Sequence, residues 1–415
     1  MSFMFSPYPY DEPSAVNRPD LAPELVSSLA AGNDAVVRAL AGRLEEAAAS
    51  QRCLFLAFDG YVGADWRRAL ELLGDALAAK EITFSAADVS ACYKSSEALE
   101  AMLAECLPTD REIDPVLLFG KIFHGGIEAL FDAERLSAQK EAWLKRKAGA
   151  AASPEVVCVF GCGAACRELR DLYDVVAYFD VTPMQTALRV RAGAVKPLGD
   201  RAKRSVNAIF RRLYYFDIEI AVRLREELIL GGGLTFYIDS SRPDCLKLLP
   251  LDAFKGILAA QVRQPFRCKP VYLEGVWGGQ FIKKLRRLPE DMKNCAWVFD
   301  LIPNEVSLLI KVGAHTLEVP YPTFFRAVAE ELMGAESVSR FGRIFPIRFN
   351  YDDTFAGSGN MSIQVHPPAD YARKHFGEPF QQDESYYVVK TGGSRTYLGF
   401  QRSEERRVGK ECRSR

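Results

Sequence analysis

Short apolar runs alternate with longer amphipathic stretches over the first 245 residues. The apolar runs, which are candidate strands, lie at 53–58, 82–84, 156–160, 175–179 and 234–238. Stretches with helical spacing of apolar residues lie between them, at 66–79, 131–147 and 184–230. Buried strands alternating with helices are typical of an α/β domain built on a parallel sheet. The pattern predicts such a domain over 51–245, after a helical or irregular segment over 1–50 that includes a helix or helix pair.

The pattern changes after a connector at 246–268. Aromatic and β-branched runs are separated by Gly and Pro, as in WVFDLIP, VSLLIKVG, HTLEVPYP, MSIQVHP and SYYVVKTGG. Regular short strands with turn residues between them are typical of an all-β sandwich or barrel. We therefore predict a multidomain protein whose second domain, over 269–401, is an incomplete all-β domain.

Composition narrows the class of protein. The 415 residues are 48% hydrophobic and 26% charged, with a formal charge of -1. This near-neutral balance argues against nucleic-acid binding. No apolar run approaches the roughly 18 residues of a membrane span, and the amino terminus lacks the features of a secretion signal. We expect a cytoplasmic protein without a membrane partner.

The ten cysteines are scattered without C-x-x-C pairs, which favours reduced thiols over disulfides. The closest group, Cys158, Cys162 and Cys166, suggests a metal or redox site, but packing explains it more simply.

The final segment, 402–415, reads RSEERRVGKECRSR and follows a strand-like run abruptly. It resembles the translation of a sequencing-library adapter, so we expect it not to be native and exclude it from the fold. On this interpretation the natural protein continues beyond Gln401.

The segment MSIQVHP carries the main candidate site. Side chains alternate along a strand, so Ser362, Gln364 and His366 project from one face. An amide oxygen and an imidazole two residues apart can bind one metal ion, and Glu384 is placed to add a carboxylate. A single strand histidine is, however, more often a hydrogen-bonded structural residue.

A resemblance to a known protein family favours the metal site over a purely structural histidine. The run MSIQVHPPADYARKHFGEPFQQDESYYVV resembles the L-S-V-Q-V-H-P…K-T-E-x-W-Y-I signature of type I-like mannose-6-phosphate isomerases, which have the cupin (jelly-roll) fold. Trp277-Gly278-Gly279 and Phe345-Pro346 match further motifs of that family in the same order. The resemblance covers about residues 270–400.

The resemblance implies a metal-dependent aldose–ketose isomerase acting on a hexose 6-phosphate, mannose 6-phosphate. It implies one zinc ion held by Gln364, His366 and Glu384, with Ser362 near the sugar phosphate. A further ligand would lie beyond Gln401, so we expect 1–401 alone to be inactive.

This chain departs from the family where Gln382 replaces a lysine and where Pro368 and Ala369 replace aspartates. Loss of the lysine removes a candidate cation for polarising the substrate or binding its phosphate. The catalytic base stays unknown. We place His124, His315 and His375 outside the metal site.

The loop after the first strand of the α/β domain lies where a phosphate-binding loop would be. A working G-x-x-x-x-G-K-[ST] loop needs Gly, Lys and a hydroxyl, yet the chain has Asp65, Trp66 and Arg67 there. Residues 155–191 resemble uridine-kinase-like proteins, which implies a degenerate P-loop kinase-like domain.

A competing dinucleotide fingerprint, Gly161-Cys162-Gly163 with Asp180, is incomplete because Cys166 takes the place of its third glycine. We do not expect nucleotide binding. Two other functions remain open: a non-catalytic cupin that senses a sugar or metal, and an active phosphotransferase fused to a cupin.

Overall fold

The computed structural model describes residues 6–149, 153–354 and 365–392. Within these ranges the strands are β1 (Val16–Asn17), β2 (Ala30–Ala31), β3 (Cys53–Gly60), β4 (Thr83–Asp88), β5 (Glu155–Phe160), β6 (Val175–Asp180), β7 (Phe236–Asp239), β8 (Lys247–Pro250), β9 (Val271–Leu273), β10 (Trp297–Leu301), β11 (Ser307–Val312), β12 (His315–Pro320) and β13 (Phe349–Asp352). The α-helices are α1 (Pro23–Ser27), α2 (Asn33–Ala48), α3 (Arg67–Ala78), α4 (Ser96–Leu103), α5 (Ala133–Ala148), α6 (Pro183–Arg191), α7 (Val206–Arg212), α8 (Ile218–Leu230), α9 (Leu251–Val262), α10 (Phe281–Leu285), α11 (Tyr321–Ala327), α12 (Ala329–Met333), α13 (Ala335–Phe341) and α14 (Ala369–Phe376).

The largest sheet has the strand order β2-β8-β7-β6-β3-β5-β4. Its strands β4, β5, β3, β6 and β7 are parallel, while β8 and β2 add an antiparallel edge. Alternate side chains of β3 enter two different hydrophobic cores: Phe55 lies in one and Leu56 in the other. Both faces of the sheet are therefore covered, and the predicted parallel α/β domain is confirmed.

The helical stretch predicted at 184–230 is divided into α6, α7 and α8. Helix α6 ends before Gly193, whose φ of +73° is a conformation that favours glycine. A π-helical turn, Leu213–Asp217, joins α7 to α8. The apolar periodicity alone did not reveal this break.

Two three-stranded sheets occupy much of the region after residue 268. One has the order β1-β11-β12, with β1 parallel to β11, and the other is the antiparallel set β13-β10-β9. Strands predicted from WVFDL, SLLIKV and HTLEVP are confirmed.

The all-β prediction does not hold for the described residues of this region, because α10 to α14 are interspersed with the strands and the jelly roll is not present among them. Ala, Glu, Leu and Met over 327–336 are strong helix formers, which explains α12 and the start of α13. The predicted strand ESYYVV at 384–389 is irregular. Most of the strand predicted from MSIQVHP lies outside the described residues.

The hairpin β11–β12 and helix α11 pack against the α/β domain. Leu308 and Phe324 belong to the same hydrophobic core as Leu224 of α8 and Phe254 of α9. The sheet β13-β10-β9 instead has a small core of its own, which includes Tyr272, Met292 and Val298. The boundary predicted at 269 therefore does not coincide with a break in core packing.

Within the described ranges, every helix is too short or too polar to cross a lipid bilayer.

Candidate functional site

Asp59 lies at the end of β3, just before the loop where a phosphate-binding loop was considered. The buried Asp59 carboxylate accepts hydrogen bonds from the backbone amides of Gly60 (2.6 Å), Gly163 (3.0 Å) and Ala165 (2.7 Å). Burial raises the pKa of Asp59 to about 7, although these amides oppose the shift. The amides of the loop after β5, which includes Gly163 and Ala165, therefore bind an internal carboxylate.

Carbonyl groups of the loop after β3 accept hydrogen bonds from side chains of α6. Thr186 donates its hydroxyl to the Val62 carbonyl at 2.9 Å, and Arg189 donates to the Gly63 carbonyl at 2.5 Å. A Cβ atom added at Gly60 would lie 2.7 Å from the Phe179 carbonyl, so only glycine fits there. The loop is thus packed as a strand–helix turn, with its carbonyls tied to α6.

Asp180, at the end of β6, is the centre of a buried polar cluster that sequence reasoning missed. Its carboxylate accepts hydrogen bonds from Arg225 (2.8 Å), Tyr237 (3.0 Å) and Thr323 (2.6 Å). The Arg225 guanidinium also lies 4.9 Å from the ring centroid of Tyr61. The Asp180 of the proposed dinucleotide fingerprint therefore joins α8 to α11.

Asp239 ends β7 in the same way. It accepts from Lys247 and from the backbone amide of Glu318, both at 3.0 Å. Asp59, Asp180 and Asp239 therefore lie at the carboxyl ends of neighbouring parallel strands. In the sequence, each of these aspartates follows an apolar run, and this recurrence could have predicted their common position.

Cys158, Cys162 and Cys166 are buried free thiols. Burial raises the pKa of all three. This environment suits packing rather than a reactive or metal-binding thiolate.

A cleft of about 3100 Å³ is lined by residues of the α/β domain and of the end of the described chain. Its lining includes Tyr61 and Glu219 from the α/β domain, and Glu305, His366 and Glu384 from the region after residue 268. Residues from α8 and from the region after 268 thus face one space.

His366 and Glu384 are brought together in this cleft. The His366 Nε2 and Glu384 Oε2 atoms are 3.0 Å apart, and each side chain is 29% exposed. Tyr386 donates its hydroxyl to Glu384, and Gln382 Nε2 lies 3.5 Å from Glu384 Oε2. Two of the predicted metal ligands therefore meet, without the regular strand predicted for Glu384.

The other predicted site residues, Ser362 and Gln364, lie outside the described residues. Imidazole nitrogen and carboxylate oxygen both suit zinc, so His366 and Glu384 fit such an ion chemically. In the part of the chain that the structure describes, no three His, Cys, Asp or Glu groups form a metal-binding cluster. The pair therefore accounts for only part of the predicted ligand set.

Two further carboxyl groups in the cleft were not predicted. Burial and the negative charge of Glu384 raise the pKa of Asp352 to about 6, with a hydrogen bond from Asn350 opposing the shift. Burial raises the pKa of Glu305 to about 8, which Arg348 partly offsets. The repeated acid in FNYDDT was a signal for Asp352, whereas nothing in the local sequence distinguishes Glu305.

The remaining histidines lie apart from the pair. His375 stacks on Tyr371 with ring centroids 4.2 Å apart, and His315 begins β12 as an exposed residue. His124 lines the cleft.

Comparisons with known proteins give one family match. The model of a domain of unknown function, DUF8485, matches residues 32–263. No curated protein matches the chain.

Two solved structures are similar to part of this chain. A putative fructose transport system kinase from Silicibacter sp. TM1040 is 19% identical, over 45% of this chain and 91% of that chain, with a TM-score of 0.30. A possible uridine kinase from Bacillus stearothermophilus is 15% identical, over 38% of this chain and 89% of that chain, with a TM-score of 0.23. Scores this low do not establish a common fold.

Proposed function

This chain belongs to the family of the domain of unknown function DUF8485, and we propose that the region beyond this domain is a metal-dependent aldose–ketose isomerase interconverting mannose 6-phosphate and fructose 6-phosphate. The observation that supports it is the 3.0 Å approach of His366 Nε2 to Glu384 Oε2 in the cleft. A histidine and a glutamate at this distance can ligate a common divalent cation. The motif resemblance supplies the class of reaction.

His366 and Glu384 would hold one zinc ion together with Gln364, and Ser362 would lie near the sugar phosphate. Held by these residues, the ion would supply a Lewis acid for the carbonyl and hydroxyl oxygens of the sugar. The hydrogen bond from Tyr386 orients the Glu384 carboxylate.

The raised pKa of Glu305, about 8, gives this cleft a carboxyl group that holds and releases a proton near neutral pH. Such a group suits proton transfer between C1 and C2, which makes Glu305 our candidate for the unassigned catalytic base. Its position in the same cleft as His366 is the geometric support.

We further propose that the α/β domain is a degenerate P-loop kinase-like scaffold. The loop after β3 has Asp65, Trp66 and Arg67 where a working motif needs Gly, Lys and a hydroxyl, which favours a structural role over phosphotransfer. The rival function is a non-catalytic cupin that senses a sugar or metal.

Zinc titration of the protein tests the metal site. We expect His366→Ala to weaken zinc binding more than about 100-fold, because loss of a ligand exceeds the effect of its supporting partners. The matched control is His375→Ala, which removes a histidine nine residues away that stacks on Tyr371. Equal zinc affinity in the two variants would refute the site.

Conversion of mannose 6-phosphate to fructose 6-phosphate separates the enzyme from the sensor. The assay uses the 415-residue protein, first treated with a chelator and then supplied again with zinc. Activity that chelation removes and zinc restores supports the isomerase. Sugar binding without turnover supports the sensor.

A further inference from the structure

Arg348 places a positive charge in the cleft beside the His366–Glu384 pair. Its Nη1 atom donates a hydrogen bond to Gln382 Oε1 at 3.2 Å. Among the described residues, no carboxylate forms an ion pair with Arg348. The guanidinium is exposed and lines the cleft, so most of its donors remain directed at solvent.

Gln382 connects Arg348 to the candidate metal ligands. Its Oε1 atom accepts from Arg348, and its Nε2 atom lies 3.5 Å from Glu384 Oε2. One amide side chain thus spans the distance between the guanidinium and Glu384. A ligand bound at the pair would have Arg348 within the reach of a small sugar.

The positive charge of Arg348 acts on Glu305 and partly opposes the rise in the pKa of that carboxyl. Burial raises the pKa of Glu305 to about 8, so at neutral pH most of this residue is protonated. The protonated fraction does not cancel the charge of Arg348, whereas the ionised fraction is the one that would act as the base.

Arg343, another of the arginines that line the cleft, differs from Arg348. Arg343 lies 3.9 Å from Glu226 and 3.7 Å from Glu330, and it donates to the Arg326 carbonyl at 2.7 Å. Its charge is compensated by carboxylates. Arg348 is therefore the better anion-binding group on this wall.

We infer that Arg348, held by Gln382, binds the phosphate group of a sugar phosphate whose sugar lies at the His366–Glu384 pair. This inference rests on the proposed function for its choice of ligand. A guanidinium can bind two phosphate oxygens at once, which positions the sugar as well as attracting it. In the mannose-6-phosphate isomerase motif a lysine stands at the position of Gln382. Arg348 would supply the positive charge that this replacement removes.

Calorimetric titration of the metal-free protein with mannose 6-phosphate, inorganic phosphate and mannose tests the inference. We expect Arg348→Ala to weaken mannose 6-phosphate binding at least about tenfold, since a charge-assisted hydrogen bond is lost. Arg348→Lys should recover part of that loss. Arg343→Gln, which removes the same charge from the same cleft, should change the affinity less than about twofold.

The inference is overturned if the unmodified protein does not bind mannose 6-phosphate. It is also overturned if Arg348→Ala binds it normally, or if Arg343→Gln loses as much affinity. Thermal unfolding of each variant verifies that it is folded. Because no metal or turnover is involved, phosphate binding through Arg348 without isomerisation would defeat only the proposed function. Isomerisation with an unchanged KM in Arg348→Ala would defeat only this inference.

Discussion

Replacing Asp180 by Asn removes one negative charge from the interior while keeping the size of the side chain. Arg225 would then stay charged in a site where its side chain is 2% exposed and the Asp180 side chain is 0% exposed. Breaking a buried ion pair by removing one partner costs about 3–5 kcal/mol. We expect a loss of stability in this range for Asp180→Asn.

Several contacts of Asp180 support this magnitude. The carboxylate accepts from Arg225, Tyr237 and Thr323, and an asparagine has one acceptor oxygen for these three donors. Burial by itself would lower the pKa of Arg225, but the Asp180 charge raises it overall, so Arg225 stays protonated. Since a domain is stabilised by only about 5–15 kcal/mol, the variant is expected to be near the limit of folding.

Urea unfolding measures the effect, because urea, unlike guanidinium, does not screen charges. The matched control is Asp171→Asn, which breaks an exposed pair with Lys140 at 2.7 Å and should cost less than about 1 kcal/mol. Adding Arg225→Met to Asp180→Asn should recover part of the loss, since no buried charge then remains. A loss below about 1 kcal/mol for Asp180→Asn would refute the reasoning.

Two further predictions concern buried titratable groups. Burial raises the pKa of Asp217 from 3.8 to about 7, so its stabilising contribution is complete below about pH 4 and is lost as the pH rises through 7. Urea unfolding near pH 5 and near pH 8 should show a decline in stability to which Asp59 and Glu305 also contribute, and Asp217→Asn should make that decline smaller. A decline of the same size in the variant would count against Asp217. Burial raises the pKa of Cys158 and Cys162, so these thiols should react with a thiol reagent only when the protein unfolds. The half-buried Cys106 and Cys245 should react earlier. Fast labelling of Cys162 in the native protein would contradict the packing interpretation.

The α/β domain was the most predictable part of the fold. A strand such as β3 is a continuous apolar run because both faces of a parallel sheet are covered, so its position can be identified without knowing its neighbours. Its packing partners could not be identified in the same way. That Leu308 and Phe324 share a core with Phe254 depends on contacts between segments far apart in the sequence.

The region after 268 shows where periodicity is misleading. Short aromatic and β-branched runs predicted strands correctly at β10, β11 and β12. The same reasoning failed for 384–389, where Tyr387 is 90% exposed, because an apolar run forms a strand only if a partner pairs with it.

The amino-acid sequence by itself indicated the parallel α/β core and the absence of a complete phosphate-loop motif. It also indicated a histidine and a glutamate as candidate metal ligands. These conclusions depend on local residue type and spacing. Tertiary structure alone decided that Asp59 binds the loop amides, that Asp180 joins α8 to α11, and that Arg348 and Glu305 share a cleft with His366. Each of these depends on burial and on distances between remote segments. Hydrogen bonds and pKa values are set by those distances, which the order of residues does not state.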